Sequence, residues 1–245
     1  MNSSGHVTTL LRKVDALILL SDEEKQALRS LPMTLRTFAP DQDIVREGDR
    51  PSECCLILDG FACRYLLLPN GKRQILSFHI PGDIPDLQSL HLKIMDHSLA
   101  TLVTTEVAFI PHRSLNEINE RYPRIASAFW RETLVDAAMF RLWIASIGRR
   151  SAYARIAHFL CELKMRLEAV SLVRDGSYNL PITQSELADA FGLSNVHVNR
   201  VLQELRGDGL ITLRGSALTI NDWEGLRRAA DFEPAYLHLK REEEE

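Results

Sequence analysis

The spacing of apolar and polar residues divides the chain into three regions. Residues 8–31 have helical spacing, and Ser21 with Glu24 forms a capping box that predicts the start of a second short helix. From about residue 36 to residue 110, short apolar runs alternate with glycine-containing turns, which predicts a small antiparallel β-barrel or roll. Helical spacing returns at Ser114. The pattern therefore predicts an α+β protein with a β-roll near its N-terminus.

Several glycines are predicted to interrupt regular elements. Asn70-Gly71 predicts a two-residue type I′ hairpin turn, because both residues tolerate positive φ. Gly148 is expected to end a long helix, and a second helix is expected from about residue 151 to residue 170. Residues 171–179, which include Asp175-Gly176, are predicted to form a loop.

The long helix is predicted to run from Pro123, which suits a first helical turn, to about Ile147. At 1.5 Å per residue it would be roughly 35 Å long. Its apolar surface is too wide to face one small roll, so we expect it to pair in parallel with its own copy. The alternative is a core helix within one domain. The residues expected at the seam between two copies are Phe129, Leu134, Ala137, Phe140 and Ile144.

The strongest pattern lies between Thr183 and Arg206. Thr183 and Glu186 form a second capping box, and Ser194 is placed to cap another helix after a turn at Gly192. Two capped helices joined by a short glycine turn, with spaced hydrophobic residues, are typical of a helix-turn-helix. The alternative is an ordinary two-helix hairpin in a protein core.

The second of these helices has a polar outer face that suits base recognition. Arg200 can make a bidentate contact to guanine, and Asn195 or Asn199 can do so to adenine. Val196, an apolar residue on this face, could pack on a thymine methyl group. The alternative for each side chain is simple solvation.

A wing is predicted after this helix, because two short strands, 210–213 and 217–220, flank the turn Gly215-Ser216. Arg214 at that turn is placed to meet a phosphate, and the start of the first helix could hold another through its backbone N–H groups. The residues predicted to contact the DNA backbone are Thr183, Gln184, Ser185, Ser194, His197, Gln203 and Arg214.

Composition changes this picture little. The formal net charge is −4, so a DNA-binding prediction must depend on one local surface rather than on bulk charge. No apolar run approaches the ~20 residues of a membrane span, and the N-terminus does not have the pattern of a signal peptide, so a cytoplasmic location is expected. The four cysteines contain no CxxC pair and are predicted to be small buried hydrophobic residues.

The order of roll, long helix and winged helix resembles the Crp/Fnr superfamily of bacterial regulators, from about residue 17 to residue 226. The sharpest match is LADAFGLSNVHVNRVLQELRGDGLI, in which Ser194 and Arg200 agree with the family and Val196 replaces its usual glutamate. The resemblance implies a cyclic-nucleotide-binding-like roll (a double-stranded β-helix), a homodimer, a two-fold symmetric DNA operator and RNA polymerase as a possible partner. The implied domains are 1–120 (sensor), 121–148 (dimerisation helix), 149–230 (winged helix) and 231–245 (acidic tail).

The resemblance also bears on the effector. Asp86, His97 and Ser98 stand near the glutamate, arginine and serine that hold cyclic nucleotides in the family. A neutral histidine replaces a guanidinium poorly, so this candidate pocket is not expected to take cyclic AMP. No cysteine cluster precedes Cys54, which disfavours an iron–sulfur sensor, and His79 alone is a weak haem ligand candidate. No cofactor is expected, and the effector is left open.

Two other functions are compatible with parts of the sequence. A cupin-like metal enzyme could use His79, His91, His97 and Glu106, but no HxH motif occurs and these residues fall on different turns. A ligand-sensing adaptor that never touches DNA would not need the polar face from Asn195 to Gln203. The sequence therefore favours a DNA-binding regulator that is not an enzyme.

Overall fold

Seven strands form the β-rich region in a computed structural model that describes residues 7–239. They make two antiparallel sheets, with strand orders β1-β7-β3 and β2-β6-β4-β5, as the predicted roll requires. The strands are β1 (Thr34–Phe38), β2 (Asp43–Val45), β3 (Glu53–Asp59), β4 (Ala62–Leu67), β5 (Arg73–His79), β6 (Ser98–Thr101) and β7 (Thr105–Pro111).

Strand β3 supplies side chains to two separate apolar cores, because successive residues of a strand point to opposite faces. Cys55 and Ile57 join the core between the two sheets. Cys54 and Leu56 join a larger core that the neighbouring helices cover. All four cysteines are buried, as predicted.

Four helices accompany the roll: α1 (Thr8–Asp15), α2 (Asp22–Arg29), α3 (His112–Arg121) and α4 (Pro123–Arg149). The capping box predicted at the start of α2 is present. Helix α4 begins at Pro123 as predicted, but the expected break at Gly148 is wrong because the helix continues to Arg149. One glycine costs a helix only about 1 kcal/mol, and the next helix starts at its own cap, Ser151.

The C-terminal region contains helix α5 (Ala152–Ala169), strand β8 (Ser177–Asn179), helices α6 (Gln184–Phe191) and α7 (Asn195–Gly207), strands β9 (Ile211–Arg214) and β10 (Ala217–Ile220), and helix α8 (Trp223–Ala230). Its three strands pair in the order β8-β10-β9. The prediction of a plain loop over 171–179 is wrong, because β8 lies within it and pairs with β10. Strand β8 has only three residues, which is too few to show an alternating apolar and polar pattern in the sequence.

The turn between β4 and β5 differs from the predicted type I′ form. Gly71 has a φ of 78°, but Asn70 does not adopt a positive φ. The backbone N–H of Gly71 donates to the carbonyl of Leu68, and the N–H of Leu68 donates to the carbonyl of Lys72. The turn therefore starts earlier than predicted, at Leu68, with Pro69 as its second residue, a position whose φ proline presets.

The chain divides into two compact units. Of the described residues, one unit contains 7–66, 76–137 and 239, and the other contains 67–75 and 138–238. The acidic tail was expected to begin at 231, but Phe232 and Leu237 are buried; its KREEEE end lies outside the described residues. No helix within residues 7–239 is long and apolar enough to cross a membrane.

Candidate nucleic-acid interface

Helices α6 and α7 are each fixed at their starts by side-chain caps. The Thr183 N–H donates to Glu186 Oε2 at 2.6 Å, and the Glu186 N–H donates to Thr183 Oγ1 at 3.2 Å. Ser194 Oγ accepts from the His197 N–H at 3.2 Å. Between the helices Gly192 has φ 63° and ψ 40°, a left-handed conformation in which glycine has no Cβ clash. The predicted caps and turn are confirmed.

The inner faces of both helices anchor them to their own unit. Val198, Val201, Leu202 and Leu205 of α7 are buried, as are Leu187, Ala188 and Phe191 of α6. The Phe191 ring lies 5.5 Å from Phe159 and 5.3 Å from Trp143 between centroids. Apolar burial on one side of α7 leaves its opposite side to present polar groups on a rigid support.

The outer face of α7 is open. Val196 is 81% exposed, which is unusual for an aliphatic residue on a polar helix face. The Arg200 side chain is 65% exposed and lies 3.7 Å from Glu204 Oε1. Asn195 is also exposed. These three side chains can meet an incoming ligand without any rearrangement of the core.

Asn199 differs from its neighbours because it belongs to a chain of side-chain hydrogen bonds. Its Nδ2 donates to Gln184 Oε1 at 3.2 Å, and its Oδ1 accepts from Gln203 Nε2 at 3.0 Å. These bonds connect the start of α6 to the outer face of α7. Each bond uses one of the two hydrogens on Nδ2 or one of the two lone pairs on Oδ1, so these bonds restrict how Asn199 can turn toward a base.

Strands β9 and β10 form a wing beside α7. Arg214 pairs with Ala217 across it, and Gly215 at the turn has a φ of 59°. A polar groove of about 620 Å³ between α7 and β9 is lined by Gln203, Arg206 and Arg214, among others. Arg206 was missed by the sequence analysis. Its exposed place on the last turn of α7 could have indicated that it faces the wing.

The remaining residues predicted to contact the backbone lie near the helix starts. Thr183, Gln184 and Ser185 are exposed at the start of α6, Ser194 is exposed before α7, and His197 is partly exposed. The free N–H groups of a helix start attract anions such as phosphate.

The three residues predicted to form the effector pocket are buried in the roll. Asp86 Oδ1 accepts the Cys55 N–H at 2.8 Å, and burial raises the pKa of Asp86 to about 7. Ser98 Oγ accepts the Glu47 N–H at 3.0 Å. His97 Nδ1 lies 2.7 Å from Asp96 Oδ1, and burial lowers the pKa of His97. Each of these three side chains has an internal partner, but His97 Nε2 is buried without one among residues 7–239.

Arg64 was not identified from the sequence, but its guanidinium is buried in the interior of the roll. Its Nε donates to the Pro85 carbonyl at 2.8 Å, and its Nη1 pairs with Asp136 on α4. Its charge also disfavours protonation of His97. A strand residue and a helix residue 72 positions apart form this pair, so no local pattern could indicate it.

A second buried polar network connects α1, the roll and α4. Lys13 forms ion pairs with both Asp83 and Glu132. Asp83 Oδ2 also lies 3.1 Å from His79 Nδ1, and His79 Nε2 lies 2.9 Å from Ser77 Oγ. Both nitrogens of His79 are thus used internally, and no group of three or more potential metal ligands occurs within residues 7–239.

Helix α4 carries an exposed apolar face. Trp130, Leu134 and Ile144 are 65%, 51% and 72% exposed. Two other predicted seam residues, Ala137 and Phe140, are partly buried. The prediction for Phe129 is wrong, because its side chain is buried in the core beside the roll; its neighbour Trp130 occupies the exposed position.

The two halves of the chain match two family models. Residues 35–122 match the cyclic nucleotide-binding domain and residues 154–229 match the Crp-like helix-turn-helix domain. With the exposed face of α7 and its wing, these matches define a DNA-binding regulator with an N-terminal roll similar to the cyclic nucleotide-binding domain.

The chain belongs to the Crp/Fnr family of transcriptional regulators. It is 30% identical to the nitrogen fixation regulation protein FixK of Rhizobium meliloti (strain 1021), over 75% of this chain and 80% of that protein. It is 24% identical to the transcriptional activator protein anr of Pseudomonas aeruginosa, over 83% of each chain. The structure of FixK2 from Bradyrhizobium japonicum has a TM-score of 0.74 at 24% identity, covering 81% of this chain and 98% of that one. The predicted family, fold and DNA-binding function are confirmed, and the family consists of regulators rather than enzymes.

Proposed function

We propose that this regulator binds a two-fold symmetric operator as a homodimer paired along α4. The observation that supports this most directly is the exposure of two faces at once. The outer face of α7 presents Asn195, Val196 and Arg200, and α4 presents Trp130, Leu134 and Ile144. The apolar α4 side chains are unfavourable in water. A dimer would cover them and would present two copies of the α7 face to DNA.

The spacing of the apolar residues on α4 supports self-association. Trp130, Leu134, Ala137 and Ile144 recur at steps of four, three and seven residues, which is the seam of a parallel helix pair. In such a pair each copy covers the same surface of the other, so the two α7 helices are related by a two-fold axis. Operators of such dimers have half-sites about one helical turn apart.

Within each half-site, Arg200 is proposed to read guanine and Val196 to contact a thymine methyl group. Asn195 is the more accessible reader of adenine, because it is exposed, whereas Asn199 is partly buried and bonded to Gln184 and Gln203. Arg206 and Arg214, on either side of the polar groove, are proposed to hold phosphates. Some relatives are named transcriptional activators, which supports RNA polymerase as a further partner.

We propose that the roll does not bind a cyclic nucleotide. A cyclic phosphate needs an available guanidinium, but Arg64 is engaged by Asp136 and the Pro85 carbonyl. A ribose needs acceptors, but Asp86 is buried and engaged by the Cys55 N–H. Addition of cyclic AMP or cyclic GMP at 1 mM, ~1,000 times the Kd of a micromolar site, is expected to leave the melting temperature unchanged. A rise of several degrees would contradict this.

The decisive experiment is selection of bound sequences from random DNA, followed by gel shifts at two salt concentrations. We expect a palindromic consensus and an affinity that falls steeply with salt. A consensus with one half-site only, or no consensus, would contradict the proposal.

The dimer is tested with the pair of substitutions Leu134→Glu and Ile144→Glu, and the matched control is Leu19→Glu. Leu19 is 63% exposed and lies outside α4, so the same chemical change there should be tolerated. Light scattering should show a monomer only for the α4 variant, and its operator affinity should fall by at least 100-fold. An α4 variant that stays dimeric would show that the two copies do not pair along this face of α4.

A further inference from the structure

A groove of about 630 Å³ lies between α3, α4 and the 3₁₀ turn Leu87–Leu90. Its walls include Leu87, Leu90, Phe129 and the exposed indole of Trp130. The residues of the family's effector position, Asp86, His97 and Ser98, do not line it. The volume falls in the ~300–1,000 Å³ range that is typical of small-molecule sites.

Two buried polar atoms beside this groove have no hydrogen-bond partner among residues 7–239. They are Gln88 Nε2, a donor, and Asn119 Oδ1, an acceptor. Leaving such a group unpaired costs about 1–3 kcal/mol. The neighbouring Ser89 shows the usual arrangement, because its Oγ lies 2.9 Å from His112 Nε2. Both residues line the groove, so a change of side-chain rotamer would bring either amide to a ligand there.

The charges at the groove restrict the ligand further. Among the described residues that line the groove, Glu120 is the only carboxylate and none is a lysine or an arginine. The Glu120 carboxylate repels an anion. An uncharged polar group is favoured.

We propose that this groove binds a small uncharged molecule with an aromatic or aliphatic body and a carboxamide-like group. The body would pack against Trp130 and Phe129, while the carbonyl accepts from Gln88 Nε2 and the N–H donates to Asn119 Oδ1. Trp130 also lies on the α4 seam proposed above. Binding is therefore tested without DNA on both the natural protein and the Leu134→Glu, Ile144→Glu variant, which separates a failure of the groove from a failure of the dimer.

Benzamide is a suitable probe, and benzoate and toluene are matched probes that replace its amide with a carboxylate or a methyl group. Fragments of this size bind near the millimolar range. We expect benzamide to shift the emission of Trp130 in a saturable way and to show saturation-transfer NMR signals. Benzoate and toluene should bind at least ten times more weakly. With Trp130→Phe the emission change should disappear while the NMR signal persists.

The variants Asn119→Leu and Gln88→Leu test the two polar atoms, with Gln26→Leu on the exposed surface of α2 as control. Each groove variant should weaken benzamide about tenfold and leave toluene unchanged. Neither should lower the melting temperature, because each removes a buried unpaired group. The inference is overturned if benzamide fails to bind, if all three probes bind alike, or if the groove variants bind benzamide as the control does. A loss of stability in both groove variants would also overturn it, since the amides would then serve folding.

Discussion

Two arginines, Arg200 on α7 and Arg64 in the roll, show how differently the two units use the same side chain. Arg200 is 65% exposed and lies 3.7 Å from one carboxylate, that of Glu204. Arg64 is 7% exposed and is held by Asp136 and by the Pro85 carbonyl. An exposed guanidinium can exchange its partner for a base, whereas a buried one is committed to the groups that neutralise it.

The same contrast extends to the surrounding polar groups. Those of the α6–α7 pair are mostly satisfied by neighbours three or four residues away, as in the Thr183–Glu186 box. The roll also has local pairs, such as His97 with Asp96, but its buried cations are paired across long separations, as Lys13 is with Asp83 and Glu132. Local contacts leave the outer atoms of α7 available for DNA, while the distant ion pairs of the roll hold separate elements together.

The largest effect is expected for Arg64→Met, which removes the buried guanidinium and keeps most of its volume. Burial alone would raise the pKa of Asp136, but Arg64, with His79 and Lys13, holds that pKa below its ordinary value. Without Arg64 the unfolding free energy should fall by about 3 kcal/mol. Urea unfolding followed by Trp130 emission measures this, because Trp130 belongs to the unit that contains Arg64.

The double variant Arg64→Met, Asp136→Leu is the matched control. It removes both charges, so no buried carboxylate is left unpaired, and at least half of the lost stability should return. If Arg64→Met is as stable as the natural protein, the ion pair does not hold α4 to the roll and the contrast with Arg200 fails.

For Arg200→Ala the effect should appear in recognition rather than in folding. Affinity for the selected operator should fall by about 1–3 kcal/mol and preference at one base pair should relax. The melting temperature should not change, because the side chain is mostly exposed. Gel shifts with single-base operator variants measure the preference.

Arg206→Ala is the control for a backbone contact. It should weaken all sequences alike and reduce the salt dependence by about one charge. An unchanged base preference in Arg200→Ala would remove Arg200 from direct readout.

The difference between local and distant contacts also explains what could be predicted from the sequence. The capping boxes, the Gly192 turn and the exposed face of α7 depend on spacings of a few residues, and they were predicted. Arg64 was missed because its partner lies 72 residues away. Phe129 was placed on the wrong face because periodicity indicates an apolar stripe without indicating which neighbour covers it, and β8 is only three residues long.

The third expected effect concerns the pH dependence of stability. Burial raises the pKa of Asp86 to about 7, above the ~3.9 of an unfolded chain. The stability that Asp86 contributes to the folded state is therefore lost as the pH rises from ~3.9 toward 7. Burial and the Arg64 charge lower the pKa of His79 to about 4, below the ~6.5 of an unfolded chain, so its contribution is lost as pH falls toward 4. Between about pH 4 and 6.5, Asp86 makes the unfolding free energy fall with rising pH, while His79 makes it rise.

The variant Asp86→Asn removes the pH dependence of stability that Asp86 causes, and it keeps an oxygen to accept the Cys55 N–H. Its stability should therefore rise with pH between 4 and 6.5 more steeply than that of the natural protein, by up to about 1.4 kcal/mol per pH unit. Above pH 7 it should be the more stable of the two. Parallel curves from urea unfolding at each pH would show that Asp86 is ionised in the folded roll.

The smallest effect is expected for Thr183→Ala, which tests the local side of the comparison. The substitution removes the oxygen that accepts the Glu186 N–H and leaves the helix start without its side-chain cap. The unfolding free energy should fall by about 1 kcal/mol, and Thr183→Ser should restore it because serine supplies the same oxygen. Emission of Trp143, which packs against Phe191 at the end of α6, reports on this unit. If Thr183→Ala destabilises its unit as strongly as Arg64→Met destabilises the roll, the distinction between a locally satisfied surface and a distantly satisfied interior is wrong.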